Sequence, residues 1–280
     1  AVGKRAAESA DRIDETVLVA TNAGQAASGL VTSVGIGFGA LQTAENSADV
    51  YVVGLSAGSG IVQSSTVYGF GDNAFRLASG INNAIGFGKN AFNGADDIRN
   101  SYVIGNRPAS GAVDFLQVYG IGDSVVREAS GLDNVIAIGE SAARYSEQMD
   151  NVIALGQDAS LSGYKLYQTV AVGGSAAYEA SGSFNIYIGQ DAGVSVSGHN
   201  NIEIIASGEN SSFLTHEASG KINIGKTIVG DIYQSRVGIG AVDNASPSAT
   251  LFVRPRNADE PAFIIQHQGS GSKTPYFALQ

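Results

Sequence analysis

No cysteine occurs among the 280 residues, which excludes disulfides, thiol chemistry and cysteine-ligated zinc and leaves the redox compartment open. Basic residues are few: 16 Lys and Arg stand against 26 Asp and Glu, a net charge of −10. Phosphate backbones are held by a basic footprint, so nucleic acid is not an expected partner, and the acidity reads as solubility for a long particle. No run approaches the roughly 18 apolar residues of a membrane span, and no charged-then-apolar leader opens the sequence, so membrane insertion is not expected. The GGxGxD repeat of calcium-binding β-helices is missing too, and no metal or other cofactor is expected.

What is abundant is glycine, 37 residues in all, without the period of three that collagen needs. With 44% hydrophobic residues and clear patterning, the chain is not a disordered one. The glycines mark a repeat whose clearest copy is Asn151-Val-Ile-Ala-Leu-Gly156-Gln-Asp-Ala159. With that glycine as marker, the slot falls at Ala20, Gly37, Gly54, Gly71, Gly88, Gly105, Gly122, Gly139, Gly156 and Gly173, always 17 residues on. It continues at Gly189, Ile205, Gly225 and Gly240 with steps of 16, 16, 20 and 15. Self-similarity at a fixed period means a solenoid or related repeat architecture.

The slots three and one before the marker hold strand formers, such as Ile136 and Ile138 or Tyr102 and Ile104, and the slot between them is mostly small, as in Gly35, Gly86 and Ala137. Side chains alternate across a strand, so the two large slots share one face and the small slot shares the other with the marker. The large face is expected to fill a core, and the small face to let a second backbone come close.

The pattern predicts an all-β parallel β-roll or β-solenoid of about 14 short repeats over 17–240. Each repeat has room for two short strands and two turns, the second strand following the marker near Ala23, Ala40, Ala142 and their equivalents. At about 4.8 Å per coil such a rod would run roughly 65 Å. Residues 1–16 read as a short helical or coil-like lead-in, and 241–280, with strands expected at 250–253 and 262–266, as a connector or the start of another module. Ser28-Gly29, Ser79-Gly80, Ser130-Gly131 and Ser181-Gly182 recur every 51 residues, and the matching slot in later repeats is acidic (Glu45, Asp96, Glu147) and then apolar (Val62, Val113, Tyr164). Either a three-repeat unit was multiplied, or the chain visits three faces in turn around an axis.

The repeats NVIAIGESA, NVIALGQDA, TVAVGGSAA and NIYIGQDAG resemble the head repeats of YadA-like trimeric autotransporter adhesins, and RVGIGAVDNASPSATLFV is similar to the segment that follows such repeats in phage tail fibres. The resemblance covers 17 to about 253 and implies a left-handed parallel β-roll that trimerises. Two departures stand out: the family's repeats are shorter and more uniform, and no membrane-anchor domain is visible here.

Several motifs invite chemical readings that the repeat absorbs. Gly220-Lys-Ile-Asn-Ile-Gly225-Lys226-Thr227 matches a phosphate loop, but Ile222 and Ile224 fall on strand slots and no helix is expected after them. Gly54-Leu-Ser56-Ala-Gly58 matches a hydrolase nucleophile elbow, yet Gly54 is a marker, and His199, His216 and His267 lie far along the rod. The pairs Gly35/Gly37, Gly69/Gly71 and Gly86/Gly88 recur by period and not as dinucleotide fingerprints. Asp96-Asp97, and Glu147 with Asp150, are candidate paired carboxylates for a glycosidase or a hard cation, and Tyr164, Tyr167 and Tyr178 are candidates for stacking on sugars.

The expectation is therefore a structural protein and not an enzyme, with no catalytic, cofactor or metal residues assigned and no receptor-binding residue identified. The expected protein is a homotrimeric fibre segment of a phage tail fibre or other virion appendage, partnered by other fibre or virion proteins and serving attachment to a host-surface polysaccharide or protein. The alternatives are the head of a bacterial surface adhesin and a polysaccharide-degrading tailspike.

Overall fold

In a computed structural model the described residues are 1–239 except 46–47, 75–77, 92–93, 95, 98, 110, 112–115, 129, 132, 207–213 and 215–216, and beyond them 251–253, 263–264 and 278–279. Among these there is no helix, and the chain forms a parallel β-solenoid of about 11 turns at a spacing of about 17 residues. The strands are β1 (Val17–Val19), β2 (Val34–Ile36), β3 (Ala48–Val53), β4 (Ser65–Phe70), β5 (Ile85–Phe87), β6 (Tyr102–Ile104), β7 (Val118–Ile121), β8 (Val135–Ile138), β9 (Ile153–Leu155), β10 (Tyr164–Tyr167), β11 (Val170–Val172), β12 (Ser181–Ser183), β13 (Ile186–Ile188), β14 (Ile202–Ile204) and β15 (Lys221–Ile224). All but β10 and β12 stack parallel in one sheet, repeat on repeat without a slip, as in Ile136↔Ile153 and Val170↔Ile186.

The faces are the reverse of the expectation. Ala137 has no exposure, while Ile136 and Ile138 on either side of it are 38% and 41% exposed. The core takes the small slot and the one two residues before it, and the bulky aliphatic and aromatic side chains point away. The reason is thinness: opposite each strand runs the segment after the marker, carrying buried alanines such as Ala23, Ala142, Ala159 and Ala176, and the gap takes a large side chain only where the residue facing it is small. Large and small positions compensate across it. A Cβ on Gly24 would stand 2.5 Å from Leu18 Cδ1, and one on Gly193 would stand 2.6 Å from Tyr187 Cε1. Conversely, Gly35 faces Leu41, and Gly120 faces Val125 and Val126.

The segment after the marker is not the second strand anticipated. Alternate residues there have left-handed φ, for example 57° at Ser141, 53° at Ala143 and 57° at Tyr145. Local turns such as Arg144 N–H to Ser141 O, at 3.2 Å, alternate with bonds to the coils on either side, Ala143 N–H to Ala159 O and Tyr145 N–H to Arg127 O, each 2.9 Å. The backbone groups are thus satisfied by a stacked ribbon of turns.

The marker glycines form the corner between strand and ribbon. Gly139 has φ of 138°, a conformation essentially reserved for glycine, and its N–H reaches Ile121 O at 2.9 Å. The close backbone approach expected of this slot is real, but the neighbour is the next coil of the same chain: a Cβ on Gly139 would be driven into Gly156 O and stand 2.6 Å from Gly156 C.

Both ends of the predicted solenoid need correction. Residues 1–16, expected as a helical or coil-like lead-in, hold no helix and join the stack: Val2 bridges Val19, Asp11 bridges Ser28 and Asp14 bridges Val31, all parallel, and Gly3 takes the corner conformation. At the other end the parallel stack stops one repeat before the expected last marker, Gly240, because after β15 the chain reverses. β16 (Ile228–Asp231) and β17 (Arg236–Ile239) add antiparallel, with Lys221 Nζ 2.7 Å from Asp231 Oδ2 across the first hairpin. The reversal coincides with a polar core: Glu203 is fully buried and accepts bonds from Gly193 N–H (2.7 Å), Leu214 N–H (3.2 Å) and Asn223 Nδ2 (3.0 Å). β18 (Leu251–Val253) pairs parallel with β17, and β19 (Phe263–Ile264) pairs with β20 (Ala278–Leu279); β18 and β19 fall within the strands expected at 250–253 and 262–266, and apart from β18, β19 and β20 residues 241–280 lie outside the described residues.

Candidate interaction surfaces

Two features stand out on this rod. The first is the face of the main sheet. Its bulky side chains form two columns, stacked from coil to coil. The rings of Tyr51 and Tyr68 lie 5.2 Å apart, those of Phe70 and Phe87 4.8 Å, and those of Tyr102 and Tyr119 5.2 Å, all within 7° of parallel. A large side chain has of the order of 150 Å² to hide; the stripe residues that stand about 40% exposed, such as Phe87, Ile104, Tyr119 and Ile138, number 14 in β1 to β15, and they alone leave roughly 800 Å² of apolar surface open. The largest apolar patch on a typical monomer is about 300–600 Å².

The second is a groove on a different side of the coil. The slots eight and eleven residues after the marker form their own columns: Ser130, Glu147, Tyr164, Ser181 and Ser197 bridge in succession, as do Asp133, Asp150 and Tyr167. Stacking in one column rules out the reading in which the 51-residue period arises from visiting three faces in turn. At β10 and β12 this side widens into a small two-stranded sheet with a bulge at Lys165. The bulge matters, because residues three apart on a regular strand face opposite ways, whereas here Tyr164 and Tyr167 both line the groove, above the buried Leu166. The groove has a volume of about 510 Å³. Its floor is small and polar: Ser181, Gly182, Ser183, Ser197, Gly198 and Ser219. At its far end Ser183 N–H donates to His199 Nδ1 at 3.0 Å, and His199 N–H donates to Ser219 Oγ at 3.1 Å.

The other sequence candidates are dispersed. Asp97 pairs with Arg99 at 3.3 Å and Asp96 is exposed beside it. Glu147 and Asp150 sit one coil before Tyr164 and Tyr167 in the same columns. Tyr178 is half-buried in the turn ribbon, away from the groove, and Glu179 beside it raises its phenol pKa. The phosphate-loop match is a hairpin: Gly225, Lys226 and Thr227 turn between β15 and β16, Lys226 N–H donates to Asn223 Oδ1 at 3.0 Å, and a strand follows where that chemistry needs a helix. Ser56 lies in a turn eight coils from His199, roughly 38 Å away at a coil rise of about 4.8 Å. His216 and His267 lie outside the described residues. Among the described residues no group of three His, Asp or Glu could hold a metal ion, and no helix is long and apolar enough to cross a membrane. The sequence reading missed His199 as a neighbour of the tyrosines because it reaches them across two coils, through steps of 16 residues and not 17.

No family model and no curated protein matches the chain.

Proposed function

We propose that the protein is a fibre segment of a phage tail or other virion appendage, working as a homotrimeric rod that extends toward and attaches to a host surface. The observation that carries this is the uncovered stripe on the main sheet. A solenoid with its bulky apolar side chains outside and its alanines inside is half of an interface, and identical chains close such faces by rotational symmetry. The number three comes from the resemblance of the repeats to trimeric adhesin heads. Coil-to-coil hydrogen bonding gives reach and stiffness, and the antiparallel turns at β15 to β17 end the run of parallel coils, with β18 adding beyond them.

Immunogold labelling of intact virions with antibody raised against this chain tests the placement. Label on a tail appendage, with antibody blocking adsorption to host cells, is the expected result. Label on a bacterial surface, with none on virions, would replace this reading with the adhesin one.

A further inference from the structure

We propose that the groove around Tyr164 and Tyr167 binds a neutral oligosaccharide of the host surface, lying along the rod axis. The inference rests on the attachment role proposed above and gives it a site. Sugars present flat apolar C–H faces ringed by hydroxyls, and the groove offers the complement: two exposed aromatic rings, 45% and 38% open, next to a floor of serines and glycines. The lining runs over four successive coils, from Tyr164 through Ser181 and Ser197 to Ser219, about 14 Å at the rise of a parallel stack. A volume of about 510 Å³ falls within the range of roughly 300–1,000 Å³ usual for small-ligand sites.

Other occupants fit less well. A peptide adding as a strand needs free backbone groups, but here Gly198 N–H already bonds Ser181 O at 3.1 Å and Asn200 N–H bonds Ser183 O at 3.0 Å. An anionic glycan would meet Glu217 in the groove, Glu147 and Asp150 one coil away, and a chain of net charge −10, with Lys165 beside the Tyr164 ring as the cation that lines the groove. None of the stripe residues lines the groove, so the site does not consume the face assigned to assembly.

The test uses the full chain on a printed array of bacterial-surface oligosaccharides, neutral and acidic, followed by calorimetric titration of the strongest neutral one. Binding to neutral members is expected, with Tyr164→Ala and Tyr167→Ala each weakening it roughly tenfold, the scale of a lost aromatic contact, while Tyr164→Phe retains it and Tyr145→Ala, on the turn ribbon, leaves it unchanged. Binding to acidic members alone, binding that survives Tyr164→Ala/Tyr167→Ala together, or no binding by a folded protein overturns the proposal. Sedimentation of the same sample separates the two readings: a trimer that ignores sugars sinks the groove and keeps the fibre, whereas a monomer that binds them sinks the fibre and keeps the groove.

Discussion

Replacing Gly139 by alanine probes the corner on which every coil depends. Its φ of 138° lies where an L-residue costs about 1–3 kcal/mol. The added Cβ would also collide with the Gly156 carbonyl, and relief requires moving the next coil away. That motion strains Gly156 N–H to Ile138 O, at 2.8 Å, and Asp158 N–H to Glu140 O, at 2.9 Å. At about 1 kcal/mol for each bond, the total comes to roughly 3–5 kcal/mol. In urea this is a fall in unfolding midpoint of about 1–2 M for an m-value near the top of the usual range. Gly131→Ala is the control, since Gly131 also has positive φ, 58°, but nothing lies within 4 Å of its would-be Cβ; it should cost only about 1 kcal/mol. Equal midpoints for the two variants would refute the argument that glycine is required there by the neighbouring coil.

Ala20 occupies a corner with φ of 118°, so Ala20→Gly should stabilise by about 1 kcal/mol, read as a higher unfolding midpoint; destabilisation would mean the strain is not there. Gly193→Ala should be destabilising through its contact with Tyr187, and the combination with Tyr187→Ala should cost at least about 1 kcal/mol less than the two separately; additive costs would show that the pair does not compensate. Burial pushes the Tyr187 phenol above the ordinary value of 10.0, so its contribution to stability is whole below pH 10 and declines as pH rises toward the folded value. Absorbance at the tyrosinate band should show one ring ionising only on unfolding, and Tyr187→Phe should remove that late step.

The period of 17, the all-β class and the corner glycines were legible because each depends on spacing alone. Which face is the core was not, since alternation sorts side chains into two sets without saying which set is inside. The usual preference for bulk in the interior pointed the wrong way. A signal was present in the pairing of large with small between Leu18 and Gly24, and between Tyr187 and Gly193, six residues apart across the thin core. The second strand was misread because alternating left-handed residues such as Ser141, Ala143 and Tyr145 have no propensity signature of their own. The first coil hid behind a charged composition, although Gly3 stands 17 residues before Ala20. Tyr164 and Tyr167 were visible as sugar-stacking candidates, whereas the serine floor and His199 become their neighbours only once the coils are stacked in register.

The outward stripe as an inter-chain seam is tested most directly by the mass of the full chain in solution. Sedimentation at micromolar concentration should give three times the 28.6 kDa of one chain, falling toward a single chain when Ile121 and Ile138 are both changed to Asp at the centre of the stripe. A stable, folded species of one-chain mass for the unaltered protein would contradict it.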